Sequence, residues 1–227
     1  MWFVTTQKSH LLIDYQQFNK TFFIPGTHII DLTKTVEGLE KALQFIADTT
    51  ESGKQVLFVG TKRQAKDILR QAADDVHMPY VTERWMGGML TNGKTMNERI
   101  KHLKQLEVRM ASGELANRFV KLEVQRFQEE IDSLNSKYGG IKEMNGLPGA
   151  LFIVDLPEEE IAVKEAKRLG IPVVAIVDTN ANPDLADYVI PANDDAIKTI
   201  QLITEYVKQA ITNGVAANKS AQPKVAE

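Results

Sequence analysis

Apolar, β-branched runs that alternate with helical patterns predict an α/β protein: a doubly wound parallel sheet with an inserted antiparallel coiled-coil helical hairpin. Three observations carry this expectation. The runs "QVLFVG", "GALFIVD" and "IPVVAIVD" are apolar on both faces, as strands covered by helices on either side must be. The segments around them carry apolar residues at helical spacing. One connection, nearly 70 residues between "MPYV" and "GALFIVD", is too long for a simple crossover.

In chain order, "THIIDL" (Thr27 to Leu32) reads as a strand leading into a helix from about Val36 to Asp48, where Leu39, Leu43 and Ile46 recur at helical spacing. "QVLFVG" (Gln55 to Gly60) leads into the helix "TKRQAKDILRQAADD", and "MPYV" is a short strand. Beyond the long insertion come the strand "GALFIVD" and the helix "EEEIAVKEAKRLG", ended by a C-cap at Gly170. The strand "IPVVAIVD", the loop "TNANPDLAD" and the short strand "YVIP" follow, then a last helix from Asp194 to Thr212. "GVAANKSAQPKVAE" is small and polar and reads as a disordered tail. The expected organisation is an N-terminal segment at 1–27, a sheet domain at 28–92 and 141–212, the hairpin at 93–140 and the tail at 213–227.

The hairpin rests on two seams. Met96, Ile100, Leu103, Leu106 and Met110 line the first half; Val120, Val124, Phe127, Ile131, Leu134 and Tyr138 follow a strict 4-3-4-3-4 spacing in the second. Between them stands "ASGELAN". Helices of about 20 residues make an arm about 30 Å long.

At 227 residues, 43% hydrophobic and 25% charged, the chain has the composition of a soluble globular protein. It lacks an apolar run of the roughly 18 residues a membrane span needs, and its start lacks the order of a signal peptide. A cytosolic protein without a membrane partner is expected. The absence of cysteine excludes disulfides, thiolate metal sites and thiol nucleophiles. Net charge is −3, yet it is unevenly spread. From Arg84 to Arg126 nine Lys/Arg face four acids, whereas from Glu143 to Glu205 four bases face twelve acids. This split predicts one face for a polyanion and another turned away from it, or else two ordinary solvated faces.

"GMLTNGKT" (Gly88 to Thr95) satisfies the phosphate-binding pattern G-x-x-x-x-G-K-[ST], and Asp155 and Asp178 end strands as a metal-holding acid would. An ATP- or GTP-binding hydrolase is therefore one reading. Its context fails twice: "TERWMG" is not a buried strand running into the first glycine, and the helix after Thr95 has only a coiled-coil seam. "VGTKRQA" has too few glycines for a Rossmann dinucleotide site. The histidines (His10, His28, His77, His102) are scattered, and Asp178 and Asp184 are expected to organise a turn, with Asp194 starting the last helix. No catalytic residue, cofactor, metal or small-molecule substrate is assigned.

The stretches "LFVGTKRQA", "RWMGGMLTNGKT", "GGIKEMNGLPGALFIVD", "EIAVKEAKRLGIPVVAIVDTNANPD" and "DYVIPANDDAIKTI" together resemble the bacterial small ribosomal subunit protein S-two family, from about His28 to Thr204. The resemblance implies a flavodoxin-like sheet domain with a protruding helical hairpin. It also implies a non-enzymatic structural protein of the small ribosomal subunit that binds small-subunit ribosomal RNA, joins late in assembly and helps to dock ribosomal protein S-one. At position 93 the family commonly has an aromatic, so Gly93 completes the nucleotide pattern by accident. The N-terminus departs from the family's "GVHFGH" and "WNPKM"; only "FNK" (Phe18 to Lys20) is an echo, with Lys20 a candidate RNA contact.

Phosphate contacts position a protein on RNA, and exposed bases or groove shape refine its placement. Lys62, Arg63 and Lys66, at the expected first turn of a helix beyond a strand's C-terminal end, form a phosphate seat or a solubilising turn. Arg84 and Trp85 precede two glycines and can stack on a splayed base, although Trp85 can equally anchor the arm to the sheet. Thr91, Asn92 and Lys94 sit at the arm's root, where they can donate to phosphate; Asn92 can instead cap the helix. Arg99, Lys101, Lys104, Arg118 and Lys121 lie on the arm's solvated sides.

Overall fold

The computed structural model describes residues 29–221. The whole 1–27 segment, Lys20 included, together with His28 and the last six residues lies outside the described residues. Five parallel strands, β1 (Val56–Val59), β2 (Tyr80–Val81), β3 (Ala150–Val154), β4 (Val173–Val177) and β5 (Tyr188–Pro191), pair in the order β2-β1-β3-β4-β5. This is the flavodoxin-like order, with its topological switch between β1 and β3.

Helices cover both faces because the strands are buried on both. Phe58, Phe152, Val174 and Ile176 turn to one side, against α1 (Leu32–Glu51), α2 (Lys66–Asp75) and α7 (Ile197–Ala221). Leu57, Leu151, Ile153 and Val173 turn to the other, against α6 (Glu160–Leu169), Trp85, Met89 and Leu90. Met96, Ile131 and Tyr138 of the hairpin belong to this second cluster, so the arm grows out of the core on that face.

The hairpin comprises α3 (Gly93–Ala111), the short α4 (Glu114–Arg118) and α5 (Lys121–Tyr138). Leu103, Leu106 and Ile131 are buried along the predicted seams, and Val124, Phe127 and Leu134 are half-buried. Val120 departs from its seam: it is the N-cap of α5 and 67% exposed. On the return, a Cβ added at Gly140 would collide with the carbonyl oxygen and ring of Tyr80, so only glycine lets the chain pass this close to the edge strand β2.

Three sequence expectations need correction. Where "THIIDL" suggested a strand, the described part holds only a bridge at Ile30; Asp31 accepts from the Thr33 N–H at 2.9 Å as an N-cap, and α1 starts at Leu32. The last helix does not stop at Thr212 but runs to Ala221, where Val207, Ala210 and Ile211 bury its inner face and Asn218 donates to Glu51 O of α1. Asp194 does not begin that helix: Asn193 Oδ1 accepts from the N–H of Asp195 and Ala196, and α7 opens at Ile197. The C-cap at Gly170 is as expected, at φ 69°.

Candidate nucleic-acid interface

At the C-terminal ends of β1 and β3, where this fold class holds its ligands, the chain fills the crevice with its own charges. Lys62 lies in the turn before α2, and its Nζ sits 3.1 Å from Asp155, 2.6 Å from Asp194 and 2.6 Å from Asp195. Burial alone would lower its pKa; the hydrogen bonds to Asp194, Asp195 and Asp155 outweigh that and hold the ammonium well above its ordinary value. Asp194 is 1% exposed, and burial, together with Asp155 and Asp178 nearby, pushes its carboxyl up despite Lys62. Next to them Glu159, also buried, accepts from the Thr61 N–H at 2.6 Å, and burial raises it too. Asp178, Asp194 and Asp195 bring oxygens within 4.8 Å of one another, the one grouping among the described residues that could hold a metal ion.

The predicted three-cation phosphate seat is thus not assembled. Lys62 faces inward, and Lys66 pairs with Glu83 at 2.7 Å, an acid that Arg70 also contacts. Arg63 alone of the three is exposed, and it precedes α2 rather than opening its first turn.

The nucleotide-like loop is occupied in the same way. Glu165 of α6, 8% exposed, receives the Gly88 N–H at 2.7 Å and the Trp85 indole N–H at 3.1 Å on Oε1. On Oε2 it receives the Leu90 N–H, the Thr91 N–H and the Thr91 hydroxyl, each at 3.0 Å. Burial would raise this carboxyl, but the backbone and indole donors prevail and hold it below the ordinary range. Three amides of the loop, those of Gly88, Leu90 and Thr91, are therefore committed to the chain's own carboxylate, which opposes the nucleotide phosphate that the hydrolase reading requires there. Trp85 is the anchor rather than a stacking platform: it is 7% exposed, with its N–H used. Asn92 caps α3, accepting from the Thr95 N–H at 3.5 Å, and Thr91 is held by Glu165.

Glu165 was missed by sequence reasoning. Its signal was a charged residue three positions from Ala162, at the margin of the apolar arc that Ala162, Val163 and Ala166 define on α6. Four of the twelve acids between Glu143 and Glu205 (Asp155, Glu159, Glu165 and Asp194) are buried, so that flank is less negative at its surface than the sequence count implied.

The arm is different. Arg84, Lys94, Arg99, Lys101 and Lys121 are exposed, and none of them forms an ion pair with another of the described residues. Lys104 pairs with Glu143 at 2.8 Å and Arg118 with Glu114 at 3.2 Å, both on open surface where such pairs exchange readily for other partners. Lys101 and Lys104 line a shallow groove on α3 together with Ile100 and Val108.

Salt bridges at the strand ends, a loop that holds the chain's own carboxylate and a cationic arm define an α/β protein whose unpaired charge lies on its helical hairpin. Comparison with known proteins takes this further. The profile of the family described as Ribosomal protein S2 matches residues 14–214. Proteins named Small ribosomal subunit protein uS2 are similar over most of the chain: that of Roseiflexus sp. (strain RS-1) is 51% identical over 200 residues, 88% of this chain and 76% of the relative. That of Coprothermobacter proteolyticus is 50% identical over 83% of this chain and 70% of its own length, and that of Chloroflexus aggregans 49% over 87% and 82%. The chain belongs to the ribosomal protein S2 family.

Proposed function

We propose that this chain is a structural constituent of the small ribosomal subunit in the cytoplasm, where its hairpin arm binds small-subunit ribosomal RNA. The observation that carries the reading is the set of exposed, uncompensated cations at the arm and its root: Arg84, Lys94, Arg99, Lys101 and Lys121. Long cationic side chains on a rigid helical support neutralise phosphates without ordering a loop first. Arg63, Lys104 and Arg118 extend the surface; Lys62 and Trp85, taken inward, are not part of it. Family membership supports further roles in late subunit assembly and in docking neighbouring ribosomal proteins, ribosomal protein S-one among them.

The test is binding of the full chain to small-subunit RNA across a salt series. Affinity is expected to fall steeply, with a log–log slope of close to one per phosphate neutralised. Binding that is insensitive to salt, or unchanged when Lys94, Arg99 and Lys101 are all replaced by alanine, rejects the reading.

A further inference from the structure

The donors around the Glu165 carboxylate come from a loop built as an anion receptor. The N–H groups of Gly88, Leu90 and Thr91 converge within four residues, made possible by Gly88 at φ 90°. The Trp85 indole and the Thr91 hydroxyl complete the ring. Successive amides turned to one point bind phosphate and other oxyanions in many loops that lead into helices, and α3 begins two residues later. No ion pair reaches Glu165 among the described residues, so dipoles alone balance its charge. A carboxylate offers about four lone-pair positions, and five donors saturate them.

We propose that residues 85–91 form an anion-binding nest whose ligand is supplied by the chain itself, and that the occupied nest clamps the root of the hairpin to the sheet domain. Two covalent connections join the arm to the sheet, and Met96, Ile131 and Tyr138 pack its root into the core; Glu165, arriving on α6, adds a charged tie and is the positioning residue for α3. A nest of this kind recognises negative charge and oxygen geometry. With the Glu165 side chain removed it therefore takes a small oxyanion, a carboxylate or a phosphate, from solution. This holds whatever the arm itself binds.

The experiment is anion rescue of the full-length Glu165→Ala variant, read by thermal unfolding in sodium formate, inorganic phosphate or sodium chloride at equal ionic strength. Formate and phosphate are expected to raise the midpoint of the variant by roughly 2–4 °C more than that of the unsubstituted chain. Formamide, of the same shape as formate but neutral, is expected to give no such rise. An equal response of the two proteins, or rescue by formamide as large as by formate, overturns the proposal, because either would reduce Glu165 to ordinary packing. Should Glu165→Ala fail to fold, Glu165→Gln retains the shape and turns an amide NH₂ toward the donors. Its Gly88, Leu90 and Thr91 amides are then expected to exchange hydrogen about tenfold faster or more, while those of β1 and β3 keep their protection. Unchanged protection of the three loop amides overturns the proposal as well.

Discussion

The Nζ of Lys62 lies 2.6 Å from Oδ1 of Asp194, joining the turn after β1 to the loop after β5. Those strands stand three places apart in the sheet, about 14 Å at ordinary strand spacing. The loop after β5 therefore folds back over the strand ends to reach the lysine, and Asp155 meets it from β3 on the way. The contact ties the two sides of the strand-end crevice together.

Removing the lysine should expose how much depends on it. Lys62→Met leaves Asp155 and Asp194 buried without their cation and is expected to lower stability by about 3–5 kcal/mol. Adding Asp194→Asn to it should recover part of the loss, since the double variant no longer buries the uncompensated charge. Urea unfolding of the two variants measures both effects.

Two buried glutamates should respond to pH with opposite sign. The Glu165 carboxyl is held low by its donors, so its contribution is present above the ordinary glutamate range and is lost as pH falls through its depressed value. Glu165→Gln should therefore cost about 1–3 kcal/mol at neutral pH, and the cost should shrink in acid. Burial holds the Glu159 carboxyl high, so its contribution is present below the ordinary range and is lost as pH rises through the raised value. Glu159→Gln, which keeps an acceptor for the Thr61 N–H, should stabilise at neutral pH and lose that advantage in acid. Stability curves at several pH values separate the two.

The arm's cations should behave unlike the buried one. Lys94→Ala and Lys101→Ala are each expected to weaken RNA binding mildly and to lower the salt slope by about one. Lys62→Met, where it remains folded, should leave that slope unchanged. Purified protein should show no saturable Mg²⁺-dependent binding of ATP or GTP; saturation in the micromolar range, abolished by Lys94→Ala, would contradict the occupied loop.

Two glycines of the hairpin should diverge. A Cβ at Gly93 meets nothing within 4 Å, so Gly93→Ala should stabilise by about 0.4–1 kcal/mol through helix propensity and a less mobile unfolded chain. Gly140→Ala collides with the Tyr80 backbone and should destabilise by about 1–3 kcal/mol, the range for overpacking. Thermal unfolding of the two variants checks the contrast.

The sheet was legible because its strands are apolar on both faces, and the hairpin because Leu103, Leu106 and Ile131 repeat at the spacing of a seam. Local punctuation was legible where one residue suffices, as at Gly170. What could not be read was pairing at a distance. Lys62 looks like any surface lysine until the loop after β5 brings Asp194 over it, and "GMLTNGKT" looks empty until α6 delivers Glu165. Both depend on residues far along the chain, about which local periodicity is silent. The start of α1 was missed for a nearer reason: Ile29 and Ile30 extend an apolar run into Asp31, and the cap was absorbed into a strand. At the other end, small residues after Asn213 hid a helix whose support comes from α1.

The brevity of β2 has its own consequence. At two residues, with the Gly140 turn pressed against Tyr80, this border of the sheet offers almost no open ladder for a stray strand to extend. A second copy finds little backbone there to pair with, and the glycine that closes the border does so by having no side chain at all.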